Sequence, residues 1–293
     1  MRTLHYIYLI HCIQSISSAW GVGRENVTND CVEYAFCSRT IVARGRAVIS
    51  GGMTNKTGMW VGYYNNGRVY WQVPYVNNLR HGKYTSWYES GAVEFDCWYS
   101  NGVYQGMVYQ WHENGMTQMI AECDSGRKVG IHFYYDEDGR IGRIFRYQNN
   151  ELHGRQSNWY CGVLCTIMSY SNGLLHGVSE TFYTNGMVET VAYYNADKPC
   201  GVVTQWFENG NVSLTIDYTG NGRKRHWHEN GVLRSDGYCI NEEFTGPYQR
   251  WYDNGQLENS GYFTNGLRHG TWVFYNINGD TNEVKTYEMG KRR

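Results

Sequence analysis

Proline is scarce in this chain of 293 residues, which holds three prolines beside 35 glycines. An excess of charge of one sign is also missing, because 26 Lys and Arg face 27 Asp and Glu. This balance excludes a global field that would draw the protein onto nucleic acid. No apolar run reaches the roughly 18 residues that a membrane-spanning helix needs. Abundant aromatic residues, at 16% of the chain with negligible net charge, argue against disorder.

Residues 1–19 resemble a secretory signal peptide. Arg2 supplies a positive start, residues 4–13 form an apolar stretch, and small residues end the segment at Ala19. His5 and His11 interrupt the apolar stretch, so an attached edge strand or short helix is the alternative. Cleavage predicts a secreted or endomembrane protein, and retention predicts a cytoplasmic one. Residues 20–57 then form an N-terminal segment or cap.

One sequence unit recurs ten times over residues 58–293, with a period of about 24. The spacing between successive units is 24 in seven of the nine intervals, 23 in one and 21 in one. Each unit begins with a leading glycine, which we count as position 1: Gly58, Gly82, Gly106, Gly130, Gly154, Gly177, Gly201, Gly222, Gly246 and Gly270. Each has an aromatic residue at position 6: Tyr63, Trp87, Trp111, Tyr135, Trp159, Phe182, Trp206, Trp227, Trp251 and Tyr275. An aromatic residue at this position in every unit is not a chance result, so we interpret this set as a structural aromatic ladder.

The remaining positions of the unit predict a β-hairpin. A second glycine, usually preceded by Asn, stands near position 10, and Asn-Gly favours the positive φ of a type I′ turn. Flanking segments of about six residues are rich in Tyr, Trp, Val and Thr, which favour strands. The outgoing connection is predicted to be a looser turn. The sequence therefore predicts an all-β fold, an elongated single-sheet antiparallel array of about 20 strands.

Segments such as residues 79–88 and 267–279, with their His-Gly junctions at His81 and His269, resemble the MORN repeat in its variant form. The resemblance covers residues 58–293. It implies a non-enzymatic scaffold or membrane-associated adaptor, since catalysis in such proteins belongs to separate domains. A looser similarity to choline-binding repeats implies aromatic cages for a quaternary ammonium group.

The residue after each position-6 aromatic is expected on the opposite face of its strand. Six of these position-7 residues are aromatic, and we predict that they form an exposed binding surface. The alternative is that they only cover a thin core. The six residues are Tyr64, Tyr88, Tyr160, Tyr183, Phe207 and Tyr252.

Other side chains give weaker indications. Two cysteine pairs have spacings compatible with a disulfide, Cys31–Cys37 and Cys161–Cys165. Asn26, Asn55 and Asn211 begin glycosylation sequons, at the frequency expected by chance. No spacing predicts a catalytic or metal site, and no cofactor is expected.

These patterns favour a repeat scaffold that binds a protein partner. Lipid head groups are a further partner class because residues 223–226 and 291–293 are basic. Nucleic acid is not expected, and self-association through the terminal strands is an alternative that the sequence leaves open. The alternative function is a secreted module that binds carbohydrate or choline-type ligands.

Overall fold

The fold is all-β. The computed structural model describes residues 9–12, 27–34, 41–50, 53–220, 222–240 and 243–293. These residues form 27 strands and no helix. They divide into two compact parts, residues 1–151 and 152–293. We call these two parts the first and the second unit, and each of the ten recurring hairpins a repeat. The predicted fold class, an antiparallel array of β-hairpins, is confirmed.

The strands of residues 1–151 are β1 (Leu9–Cys12), β2 (Val27–Tyr34), β3 (Ile41–Ser50), β4 (Met53–Tyr63), β5 (Val69–Val76), β6 (Leu79–Arg80), β7 (Gly82–Trp87), β8 (Val93–Ser100), β9 (Val103–Tyr104), β10 (Gly106–Trp111), β11 (Thr117–Asp124), β12 (Arg127–Tyr135), β13 (Ile141–Gln148) and β14 (Glu151–Leu152), the last of which crosses the boundary.

The strands that follow are β15 (Gly154–Tyr160), β16 (Val163–Ser171), β17 (Leu174–Phe182), β18 (Val188–Asn195), β19 (Lys198–Trp206), β20 (Val212–Asp217), β21 (Arg223–Trp227), β22 (Leu233–Ile240), β23 (Glu243–Trp251), β24 (Leu257–Thr264), β25 (Leu267–Tyr275), β26 (Thr281–Glu288) and β27 (Lys291–Arg292).

Within each unit, strands that follow one another in the chain pair antiparallel. In the hairpin of β12 and β13, for example, Gly130 pairs with Tyr147 and Phe133 with Ile144. The described part of residues 20–57 forms β2, β3 and the start of β4, which continue the same pairing. Strand β1, inside the segment that resembles a signal peptide, pairs with β2. The rest of residues 1–19 lies outside the described residues, so cleavage stays a prediction.

The structure places the tight two-residue turn at the outgoing connection and the longer turn at the Asn-Gly connection. This is the reverse of the sequence-based assignment. At the Asn-Gly connection of the first repeat, Gly67 N donates to Tyr64 O (2.9 Å), and Gly67 is the turn residue with positive φ (85°). This four-residue turn is not type I′, because a type I′ turn needs positive φ at both central residues. The outgoing connection is the two-residue type: Asn77 and Asn78 both have positive φ, 50° and 66°. The Asn side chain explains the difference, since Asn66 Oδ1 accepts from Arg68 N (2.9 Å) and fixes the longer turn.

Every leading glycine has a positive φ, between 63° at Gly58 and 116° at Gly82. A Cβ at Gly58 would meet nothing within 4 Å, so this glycine is required by the backbone conformation and not by space. The pairing of neighbouring strands also changes register beside the leading glycine, as between Ile120 and Glu122 where β11 pairs with β12. The recurring glycine therefore marks a β-bulge that joins one hairpin to the next.

The most buried face of the hairpins carries the position-3 side chains, not the position-6 aromatics. Trp60, His132 and Trp272 at position 3 are 0%, 1% and 0% exposed. All ten position-6 aromatics are half-buried. The interpretation of the position-6 aromatics as the structural core thus identified a recurrent feature but missed the centre of the core. That centre lies on the face that carries the position-3 side chains, which we call the inner face. In the first unit this core gathers Val73, Cys97, Tyr99, Val108, Ala121 and Cys123.

Candidate interaction surfaces

The position-7 side chains connect each repeat to the next. Tyr64 hydroxyl donates to Trp87 O (2.7 Å), and Trp87 is the position-6 aromatic of the following repeat. The next repeat does the same, since Tyr88 hydroxyl donates to Trp111 O (2.7 Å). The acceptor is at a bulge, because the register of β7 and β8 shifts between Ser86 and Trp87. The hydroxyl thus satisfies a carbonyl at an irregular point of the ladder.

The same link recurs in four further repeats whose position-7 residue is Tyr or His. The further bonds are His112 Nε2 to Tyr135 O (3.0 Å), Tyr183 hydroxyl to Trp206 O (2.6 Å), His228 Nε2 to Trp251 O (2.9 Å) and Tyr252 hydroxyl to Tyr275 O (3.0 Å). Asn side chains of the turns add a second link, as where Asn230 Nδ2 donates to Asp253 O (2.8 Å).

This geometry corrects the expected exposure of the position-7 aromatics. Five of the six, Tyr64, Tyr88, Tyr183, Phe207 and Tyr252, are half-buried. Tyr160 differs, with 76% of its surface exposed. Its hairpin lacks the four-residue turn, because β15 and β16 are joined by the two residues Cys161 and Gly162. The role of these residues as a binding surface stays a prediction, and their geometry favours a structural role for four of the tyrosines.

Aromatic rings on the inner face are covered by cations of the same chain. Lys56 Nζ lies 4.1 Å from the centre of the Trp60 ring, and Arg268 Cζ lies 4.5 Å from that of Trp272. Arg80 lies over Tyr84 and Tyr99, at 5.6 and 5.3 Å. These three cations share one place in the repeat, two residues before the leading glycine. Where an internal cation already occupies a ring face, that face is closed to a quaternary ammonium ligand.

The opposite, outer face of the first unit exposes several large apolar side chains. Trp98 is 52% exposed and Met107 is 41% exposed. They lie on neighbouring strands, each two residues from the paired Asp96 and Tyr109. We define the outer-face patch as Met59, Trp98, Met107, Tyr109 and Ile131, all of them exposed. The sequence offered a signal for all of these except Tyr109, namely large apolar residues at position 2 or at position 17, which pairs with position 2.

The basic segment 223–226 is part of a strand, β21, and not a solvated turn. Arg223 Nε donates to Asp236 Oδ1 (2.9 Å), and Arg225 lies 3.6 Å from the same carboxylate. Burial opposes ionisation of Asp236, but the Arg223 guanidinium outweighs it and lowers the pKa of the carboxyl group. Two of the basic side chains are therefore neutralised within the hairpin.

The cysteines and sequons are placed as follows. Cys161 and Cys165 are free thiols, exposed at the turn and half-buried in β16, so the structure contains no bond between them. The pair Cys31–Cys37 cannot be placed, because Cys37 lies outside the described residues, as does Asn26. Asn55 Oδ1 accepts from Asn78 Nδ2 (2.7 Å), and Asn211 Nδ2 donates to Glu229 O (2.9 Å). Among the described residues there is no group of three or more His, Cys, Asp or Glu that would hold a metal ion.

Comparison with known families agrees with this architecture. Two segments, residues 175–196 and 244–265, match the MORN repeat variant. Each match falls on one hairpin, β17 with β18 and β23 with β24. The chain contains MORN repeats of the variant type, and its array of β-hairpins is consistent with a MORN repeat protein. No curated protein matches it.

MORN repeats are a non-enzymatic type of repeat, and they generally mediate contacts with proteins or membranes. No helix among the described residues is long and apolar enough to cross a membrane.

Proposed function

We propose that this MORN repeat protein is a non-enzymatic scaffold that binds a protein partner through the outer-face patch. The observation that supports the proposal is the exposure of Trp98 and Met107 side by side on neighbouring strands. Trp, Tyr and Met are enriched at protein interfaces, and a few such residues usually supply most of the binding energy. The patch keeps the role that the sequence predicts for an aromatic β surface, but assigns it to different residues.

The surroundings of the patch fit a protein interface. Lys83, which pairs with Trp98 across β7 and β8, forms an ion pair with Asp96 (2.8 Å). Glu122 pairs with Met107 on the other side. Charged side chains thus flank the two apolar ones along the row, as at interfaces with a polar rim. The alternative function, a choline-type ligand site, is disfavoured because lysine and arginine residues occupy the inner-face rings.

The test is crosslinking and affinity purification of the full chain from cells that produce it. The double variant Trp98→Ala, Met107→Ala is compared with Tyr193→Ala, a control at the same repeat position as Trp98 in the second unit and 45% exposed. We expect partners that the wild type and the control recover and the double variant loses. Equal recovery by all three would refute the patch. Hydrolase or transferase activity of the purified protein, with no partner, would refute the scaffold itself.

A further inference from the structure

The seventh repeat has lost its outgoing connection. The interval from Gly210 to Gly222 is shorter by three than the matching interval from Gly186 to Gly201 in the preceding repeat. Strand β20 ends 16 residues after its leading glycine, whereas β18 and β22 continue to the eighteenth residue. Strands β19 and β23 begin three residues before their leading glycines, but β21 begins one residue after Gly222. The two short arms that normally meet in a two-residue turn are therefore absent.

Their absence leaves a groove with a volume of about 1150 Å³. Its walls include Pro199 on β19 and Thr245 on β23. Its lining includes Ile216, Tyr218 and Lys224. Ile216 pairs directly with Lys224, and this pair, the last between β20 and β21, forms the end of the groove.

Local hydrogen bonds hold the groove in shape. Tyr218 N donates to Gly201 O (2.8 Å), and Cys239 N donates to Gly222 O (2.9 Å). Thr219 N and its hydroxyl both donate to Asp217 Oδ1, at 2.8 and 2.6 Å. These two bonds also lower the pKa of Asp217. The backbone on either side is thus fixed before any ligand enters.

Charge and exposure at the groove point to one kind of occupant. Among the described lining residues the one carboxylate, Asp217, already accepts two hydrogen bonds from Thr219, so Lys224 is the charged group that faces a ligand. Lys224 is half-buried, and no carboxylate of the described residues forms an ion pair with it. Its neighbours differ, since Arg223 and Arg225 share Asp236. At the rim, Ile240 and Tyr262 are 62% and 49% exposed. A partly desolvated cation beside exposed apolar side chains favours an anionic group on an otherwise uncharged chain.

We propose that this groove binds an extended, acidic peptide segment, which takes the place of the missing arms and directs a carboxylate to Lys224. Such strand addition gives affinity through main-chain hydrogen bonds and specificity through side chains. The inference extends the proposed function, since it adds a peptide site to the scaffold. It does not require the outer-face patch.

The test uses the full chain and a fluorescent peptide, acetyl-Thr-Val-Thr-Glu-Thr-Val-Thr-amide, with its Gln counterpart as control. We expect saturable binding of the Glu peptide and at least tenfold weaker binding of the Gln peptide. The Lys224→Met variant of the protein should bind both peptides with the same weak affinity. Equal binding of the two peptides to the wild type, or binding of neither, would refute the proposal.

An insertion variant tests the groove itself. Copying Asn265, Gly266 and Leu267 behind Thr219 restores the regular spacing, because Thr264 precedes the same three residues in the ninth repeat. This variant should fold and lose peptide binding, and retained binding would contradict the proposal. If it does not fold, the Lys224→Met result decides. The double variant of Trp98 and Met107 should bind the peptide normally, which separates failure of this site from failure of the patch.

Discussion

The two units use the same hairpin but pack it differently. Of the described residues, nine buried hydrophobic side chains belong to residues 1–151 and three to residues 152–293. The three are Ile167, Ala192 and Trp272. At position 3, the second unit has half-buried Ser179 and Lys224, where the first has buried Trp60 and Val108. The repeat template therefore determines the backbone, and the variable positions decide how much core each hairpin buries.

The largest effect is expected where position 3 is a fully buried tryptophan. Trp60→Ala and Trp272→Ala should each lower the free energy of unfolding by about 3–5 kcal/mol, as large-to-small core substitutions do. Trp272 packs on Phe263 at 5.0 Å, and its Nε1 donates to Tyr262 O (3.2 Å). Urea unfolding measures the loss. The control is Trp251→Ala at position 6, which is half-buried and should cost less; an equal cost would remove the distinction between the two positions.

Exchanging position-3 residues between the units should narrow the difference in buried apolar surface between the two units. Val108→Ser should destabilise the first unit by about 1–3 kcal/mol, because it removes buried apolar surface and adds a hydroxyl group. Ser179→Val should stabilise the second unit by about 1 kcal/mol, since it adds apolar surface at a half-buried strand position. Thermal unfolding of both variants measures these changes. Effects of the same sign would contradict the comparison.

The first unit should also be sensitive to acid through His132. Burial lowers the pKa of this imidazole, and Nε2 lies 3.0 Å from Glu122 O while Nδ1 is buried with no hydrogen-bond partner in the structure. A lowered pKa means that the unfolded chain binds the proton more readily. Stability is therefore fully present above the ordinary pKa of about 6.5 and falls as pH decreases below it, by at most about 1.4 kcal/mol per pH unit.

His132→Gln tests this dependence. Gln156 has the same position in the next repeat, where its Nε2 donates to Gly154 O (3.1 Å), so glutamine suits the site without titrating. Unfolding followed between pH 7.5 and pH 5, a window chosen around that pKa of about 6.5, should show a smaller pH dependence in the variant. An unchanged dependence would assign it to other groups.

The smallest effect is expected from the links between repeats. Tyr88→Phe removes one hydroxyl that donates to Trp111 O and should cost about 0.5–1.5 kcal/mol. Tyr160→Phe is the matched control, since this tyrosine holds the same repeat position but is largely exposed. Its substitution should leave the unfolding midpoint unchanged. Equal effects of the two would show that the hydroxyl bond contributes nothing.

Much of the fold was predictable, because the features that recur are the ones that the backbone requires. Leading glycines such as Gly58 are needed for positive φ in every repeat, so their spacing predicted the hairpins. Position 3 was not predictable in this way, since Trp60, Val108, His132 and Gln156 share burial but not chemistry. The bonds of Tyr64 and Tyr88 were missed because their acceptors are carbonyl groups 23 residues away, exposed by a bulge that periodicity does not reveal.

The candidate surfaces were less predictable than the fold. Periodicity placed Tyr64 and Tyr252 on one face but gave no information on whether a neighbouring repeat covers them. The shortened interval before Gly222 was visible in the spacing. Only the structure places the loss in the strand arms, beside the side chain of Lys224.

By itself, the sequence determined the hairpin repeat, the antiparallel pairing and the MORN family, because each follows from local backbone preferences repeated at a fixed period. The tertiary structure decided which side chains are buried, which turn is type I′, and which aromatic residues remain exposed. Those properties depend on contacts between strands from different repeats, and such contacts are set by bulges and by packing that no single period encodes.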